Sequence, residues 1–190
     1  MTTDSKTATP AQGALIVGTV LAIAAILGIT VLPMFHPPRS KLVGFPAPDF
    51  TLPVIANGEA GSRMHLADLR GKAVVIDFWA SWCAPCRAEA PIVDRVARRH
   101  EGKGVVVLGV ATSGDDWRRA EDFVKTHGIG YPSLFDENDH TANDFRIEEL
   151  PTLVVLNAAG VITAVRPRMV HEDELEELVT SALSDGTKGS

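Results

Sequence analysis

The sequence predicts an α/β protein, a sheet layered with helices, and three observations carry that prediction. Apolar runs of strand length alternate with stretches of helical periodicity between Phe50 and Leu183. Two of those runs are too continuously apolar to belong to strands with a wet face. The series closes on two short strands around Ala158–Ala159–Gly160 and a final amphipathic helix.

The elements follow in order. Ala14–Leu32 reads ALIVGTVLAIAAILGITVL and carries no charged side chain. At ~1.5 Å per residue it extends roughly 28 Å, close to the ~30 Å hydrocarbon core of a bilayer. The expected arrangement is a 1–13 tail and a transmembrane anchor over 14–34. A cleaved signal peptide is the rival, but the run is longer than a usual apolar signal region. LPMFHPPRS follows it, without a small-x-small cleavage site. Lys6 on one side nearly balances Arg39 and Lys41 on the other, so charge leaves the orientation open. Pro33, Pro37 and Pro38 favour an extended, proline-rich linker over 35–42. The folded domain is expected over 43–184, with a disordered 185–190 tail.

Within the domain, Phe50–Ile55 and Met64–Leu66 form a hairpin across the Asn57–Gly58 region. Ala73–Ala80, AVVIDFWA, is a central strand covered on both faces. Ala84–His100 has helical spacing through Ile92, Val93, Val96 and Ala97, with Pro91 expected to kink it. Val105–Ala111 is a second buried strand. Trp117–His127 is a second helix, ended by Gly128. Pro132–Asp136 is a short strand and Thr141–Phe145 a weak helix. Thr152–Asn157 and Val161–Arg166 pair as a hairpin, and Glu172–Leu183 closes the domain with Leu175, Leu178, Val179 and Leu183 inward. No internal repeat is present.

Composition narrows the function. An apolar share of 45% and a charged share of 22% are those of a globular protein, and a formal charge of −6 argues against a nucleic-acid partner. The six histidines, His36, His65, His100, His127, His140 and His171, are scattered. Two cysteines alone cannot close a four-ligand zinc site, so no metal and no cofactor is expected.

Those two cysteines sit in SWCAPCRAEAP, Ser81–Pro91. Cys83 follows a buried strand where the next helix begins, and a helix N-terminus stabilises a thiolate. Cys86 lies one turn later, near enough to close a small ring, and Pro85 fits the first turn, where its missing N–H costs nothing. Lowering a thiol pKa from ~8.5 to ~7 raises its thiolate fraction at neutral pH about fifteen-fold. Weaker nucleophilicity takes back roughly five-fold, so attack gains only about three-fold. The pair is tuned for exchange rather than for raw nucleophilicity. An inert core pair or a static disulfide needs no such spacing, and so short a loop stabilises little.

WCAPC after a buried strand, the opening GFPAPDFTL (Gly44–Leu52) and ELPT (Glu149–Thr152) before a hairpin resemble the TlpA/ResA-like group of the thioredoxin superfamily. The resemblance spans roughly Val43 to Leu183. It implies a thioredoxin-like fold: a central mixed β-sheet flanked by helices, an N-terminal β-hairpin extension and a helix–strand insertion over about Ser113–Asp136. It also implies a membrane-anchored thiol-disulfide oxidoreductase. The domain then faces the periplasmic or extracytoplasmic side of the cell membrane and exchanges disulfides with protein substrates. Apocytochrome c is one such substrate, and an integral-membrane electron donor is implied as partner.

Matched position by position, Cys83 is the exposed nucleophile and Cys86 the buried resolving thiol. Pro151 is the cis-proline that faces the disulfide, and the backbone of Leu150 pairs with a bound substrate strand. Trp82 is the aromatic before the nucleophile. Asp77, inside a two-faced strand, is costly there unless it has work or a partner. Thioredoxins use this position to exchange protons with the buried thiol, and burial raises such a carboxyl into a useful range. Many relatives have Asn here, and some carry a glutamate between the cysteines where this chain has Ala84. Arg87 and Glu89 also match, and a solvated helix face accounts for both.

The direction of exchange is not written in Ala84–Pro85. Thioredoxin and DsbA differ by roughly 150 mV, about 7 kcal/mol for two electrons; the resemblance favours a reductant. Three alternatives stand beside it. They are a metal or haem-protein chaperone holding clients through both cysteines, a tethered interaction domain, and a peroxiredoxin-like peroxidase. The last shares the APDFTL opening but needs a Thr two turns before its nucleophile, where Ser81 and Trp82 stand.

Overall fold

A computed structural model describes residues 18–26, 40–59, 61–112 and 114–186. The chain divides into Met1–Arg39 and Ser40–Ser190. In the first unit, residues 18–26 are helical, with Val20, Leu21, Ile23 and Ile26 exposed. The rest of the anchor expected over 14–34 falls outside the described residues. Among the described residues no helix is long and apolar enough to cross a membrane.

Among the described residues the second unit is built on a seven-stranded mixed sheet. Its strands are β1 (Thr51–Ala56), β2 (Arg63–His65), β3 (Ala73–Trp79), β4 (Val105–Thr112), β5 (Ser133–Asp136), β6 (Thr152–Leu156) and β7 (Ile162–Arg166), in the spatial order β2-β1-β5-β4-β3-β6-β7. The β3–β4 and β4–β5 pairs are parallel. The β1–β2, β1–β5, β3–β6 and β6–β7 pairs are antiparallel. This is the thioredoxin-like α/β fold, with the N-terminal hairpin added at the β5 edge. Each β4-to-β5 and β3-to-β4 crossover carries a helix, as parallel neighbours require.

Every residue of β3 is buried, which is why its sequence is a continuous apolar run. Alternation along it sends Val75 and Trp79 to one face and Val74, Ile76 and Phe78 to the other. The first face packs under α1 (Ala84–Arg99), α2 (Trp117–Thr126) and α4 (Glu172–Gly186); the second is covered by Phe50, Leu66 and the short α3 (His140–Asp144). Arg95 and Arg99 pair with Glu172, and His100 with Glu176, tying α1 to α4.

Three boundaries differ from expectation for local reasons. The compact unit begins at Ser40 rather than Val43, because turns at 40–45 lead into bonds from Gly44 N to Ile162 O and Ala47 N to Gly160 O. Helix α1 runs through Pro91, as expected, and ends at Arg99 rather than His100, which serves as its C-cap. Helix α4 reaches Gly186, beyond the Leu183 expected from its apolar stripe, since that stripe ends before the hydrogen bonding does. Residues 187–190 lie outside the described residues.

Gly109, on β4, leaves space above the sheet between β3 and β5. It stands between Asp77 and Ser133 in register. A Cβ there would come within 2.7 Å of Trp79 Nε1 and 3.1 Å of the Tyr131 ring. Its missing side chain is the room that lets both aromatics sit beside Asp77.

Candidate active site

The chain leaves β3 at Trp79 and turns at once. Cys83 N donates to Ala80 O at 3.1 Å, closing a turn with Ser81 and Trp82 at its tip. Cys83 is then the N-cap of α1, and its Sγ accepts the Cys86 backbone N–H at 3.2 Å. This is the geometry in which a serine or aspartate oxygen caps a helix, here made by sulfur. Cys83 and Cys86 are joined as a disulfide with Cα atoms 5.3 Å apart. The bond therefore sits at the N-terminus of α1, with Cys83 Sγ taking one of that helix end's N–H groups.

The expected exposure of Cys83 is corrected by its burial: it is 4% exposed, against 2% for Cys86. The cause is the cap itself. Sulfur that bonds Cys86 and accepts its N–H points back over the first turn, leaving Ala84, Pro85 and Trp82 as the exposed rim. Trp82 is 57% exposed.

The Leu150–Pro151 peptide bond is cis. Thr152, the next residue, pairs with Phe78 of β3, so Pro151 lies level with the end of that strand and beside the start of the redox turn. Leu150 and Trp82 line one cleft of about 280 Å³, together with Ile147 and Glu149. Thr152 Oγ1 donates to Glu149 O at 2.7 Å and pins the approach to the proline.

Two acids are buried on the elements that carry the disulfide, β3 and α1. Asp77 is 3% exposed and on the same sheet face as the cysteine cluster; its Oδ2 accepts the Tyr131 hydroxyl at 3.1 Å, while Oδ1 has no partner among the described residues. Burial raises the Asp77 pKa well above the ordinary carboxylate range, and the Tyr131 hydrogen bond moderates the rise. Burial likewise pushes the Tyr131 phenol upward, with the Asp77 charge adding to it.

The second acid is Glu89, and a solvated helix face is the wrong account of it. Glu89 is 1% exposed; its Oε1 accepts the Val170 N–H at 2.7 Å, and its Oε2 is unpartnered among the described residues. Its pKa is raised first by burial and then by the charge of Asp77, against the pull of the Val170 N–H and Arg168. The sequence did hold a signal. Glu89 stands three residues after Cys86 and four before Val93, on the same helical stripe as these buried residues. Arg87 does face solvent, donating to Ser81 O at 3.1 Å. Tyr131 carried no sequence signal, because only the fold brings it to Asp77.

No group of three or more His, Cys, Asp or Glu side chains among the described residues could hold a metal. What the arrangement offers is a reversible S–S bond, a helix N-terminus that favours anionic sulfur, and two carboxyls able to hold protons near neutral pH.

Comparison with known proteins gives one consistent picture. The AhpC/TSA family profile matches residues 43–165. The thiol-disulfide oxidoreductase ResA of Oceanobacillus iheyensis is 30% identical over 156 residues, covering 82% of this chain and 81% of that protein. Among solved structures, a DsbF homologue from Corynebacterium diphtheriae superposes with a TM-score of 0.65 at 30% identity, covering 72% of this chain and 86% of that one. A secreted Mycobacterium tuberculosis disulfide oxidoreductase homologous to E. coli DsbE gives 0.62 at 27% identity, with coverage of 70% and 95%.

Proposed function

Because the chain belongs to the AhpC/TSA family and, within it, to the ResA-like thiol-disulfide oxidoreductases of the thioredoxin superfamily, we propose that it reduces protein disulfides outside the cytoplasm from a membrane anchor. The observation that carries the exchange chemistry is the bond from Cys86 N–H to Cys83 Sγ at the head of α1. A donor aimed at that sulfur lowers the cost of negative charge on it, as does the helix end around it.

In the proposed cycle, the Cys83 thiolate attacks one sulfur of a substrate disulfide and expels the other as thiolate. A mixed disulfide results. Cys86 gives up its proton and attacks Cys83 Sγ, releasing the second substrate thiolate and re-forming the Cys83–Cys86 bond. The substrate gains two electrons and, at neutral pH, two protons; the enzyme dithiol loses both. Asp77 and Glu89, buried on β3 and α1, are the groups placed to take and return the proton of Cys86. Trp82 and the backbone of Leu150 form the two walls between which a substrate strand docks, with Pro151 beneath.

The uncharged run Ala14–Leu32 supports the anchor, and the relative described as secreted supports an extracytoplasmic domain. A reductant there needs electrons carried through the membrane, which assigns an integral thiol-transfer protein as donor. Apocytochrome c, with its paired haem-binding cysteines, is the proposed substrate on the ResA resemblance.

Substituting Cys86→Ser in the full chain and collecting mixed disulfides tests this reading. Trapped partners must be extracytoplasmic proteins joined through Cys83; no adduct, or adducts only with cytoplasmic proteins, contradicts it. A reporter active only outside the cytoplasm, fused after Ser190, must be active.

A further inference from the structure

The segment that follows β4 is tied to the redox turn through the Asp115 carboxylate. Asp115 Oδ2 accepts the backbone N–H of Ser81, and Asp115 Oδ1 accepts the Ser81 hydroxyl at 2.7 Å. Ser81 is the second residue of the Ala80–Cys83 turn, which presents Cys83 as the helix cap. The carboxylate is itself fixed. Its Oδ1 takes the Asp116 N–H at 3.0 Å, and Asp115 N donates to Thr112 O at the end of β4. Next to it, a Cβ on Gly114 would come within 3.0 Å of the Trp82 indole, so that glycine lets the segment lie close against the turn. From the other side Arg87 donates to Ser81 O. Each polar group of Ser81 is therefore held.

A charge fixed here acts unequally on the two redox states. The disulfide is neutral, whereas the reduced site carries a thiolate. The turn is four residues long, so the Asp115 carboxylate lies within about 10 Å of Cys83 by chain geometry. A unit charge at that range changes a thiolate's population by about three- to ten-fold in the partly screened setting of a protein surface. We propose that Asp115 is a positioning residue of the exchange reaction: anchored on both donors of Ser81, its carboxylate opposes negative charge on Cys83 and weights the couple toward the disulfide. The device makes the reduced protein a stronger reductant than the helix cap alone would allow. This inference rests on Cys83 being the attacking thiol.

Other charges face the turn and stay constant in the comparison. Arg119 and Asp122 of α2 and its C-cap His127 share a shallow cleft with Ser81 and Arg87. Across the opposite cleft, Trp82 meets Asp139, Glu148 and Glu149. Asp77 on β3 and Glu89 on α1 are buried.

Asp115→Asn removes the charge and keeps both bonds to Ser81, because an amide can accept the Ser81 N–H and donate to the Ser81 hydroxyl; the one bond it gives up is the acceptor for the Asp116 N–H. Ser81→Ala does the reverse: it keeps the charge and the backbone bond and loses one donor. The purified proteins are equilibrated at pH 8.5 with glutathione, in the reaction protein disulfide plus two glutathione thiols giving protein dithiol plus glutathione disulfide. Alkylation of the reduced proteins is followed across pH. The Asp115→Asn equilibrium is expected to move about three- to ten-fold toward the dithiol, with its alkylation midpoint at lower pH. Ser81→Ala is expected within about two-fold of the parent protein, and Asp115→Ser, a second charge-free variant, must move in the direction of Asp115→Asn. An unmoved equilibrium and midpoint in Asp115→Asn, or an equal shift in Ser81→Ala, overturns the inference. A parent disulfide that neither glutathione nor dithiothreitol reduces contradicts instead the exchange function on which it stands.

Discussion

Tyr131 donates its hydroxyl to Asp77 Oδ2 at 3.1 Å across 54 residues of sequence, and both residues are buried. That bond is the single donor shown for a carboxyl whose other oxygen has no partner among the described residues. Removing it with Tyr131→Phe leaves a buried acceptor unsatisfied. The variant is expected to lose about 1–3 kcal/mol of stability by chemical denaturation. Its pH–rate profile for disulfide exchange is expected to shift to higher pH, because the carboxylate loses its stabilising donor while burial continues to raise it. A shift to lower pH contradicts this account.

Asp77 also sets a sign for stability against pH. Its pKa is raised in the folded protein above the ordinary value of about 4 in an unfolded chain. Above pH 4 the folded protein therefore holds a proton that the unfolded chain has lost. Stability is fully present below that pH and is lost as pH rises through the folded value. Asp77→Asn is expected to flatten the fall and to be more stable than the parent at pH 8, by about 1.4 kcal/mol for every tenfold by which folding tightens the carboxyl's hold on its proton. Denaturant midpoints of both oxidised proteins from pH 4 to 9 measure it. Glu89 is raised in the same direction, so part of the slope remains.

Glu89→Gln and Glu89→Ala divide two roles. Glutamine keeps an acceptor for the Val170 N–H and is expected to preserve stability within about 1 kcal/mol; alanine leaves that N–H unpaired and costs about 1–3 kcal/mol. Both remove a proton-holding group, so both are expected to abolish the same step in the pH dependence of mixed-disulfide resolution. If glutamine retains that step, Glu89 is a structural buttress alone.

Trp82 is exposed, and its truncation touches little of the core. Trp82→Ala is expected to change stability by less than about 0.5 kcal/mol. It should raise the apparent KM for a peptide disulfide several-fold while leaving kcat near the parent value. An unchanged KM removes Trp82 from the docking wall.

What can be read from sequence, and what cannot, has a physical cause. Strand β3 is legible because burial on both faces demands an unbroken apolar run, and the Cys83 site because strand-to-helix spacing dictates a cap. Glu89 is legible too, yet a charge so near Arg87 resembles a solvated face until its place beside Cys86 and Val93 is counted. Tyr131 and Asp115 reach the site from distant segments, and nothing local to either announces the contact. The anchor rests on a hydropathy run that falls mostly outside the described residues.

The central claim is that Cys83 attacks and Cys86 resolves, although both are nearly buried in the disulfide form. The rates at which a thiol-alkylating reagent modifies each cysteine of the fully reduced protein at pH 7, resolved by peptide mass analysis, test it most directly. Cys83 is expected to react at least ten-fold faster than Cys86. Equal rates, or faster modification of Cys86, contradict the account.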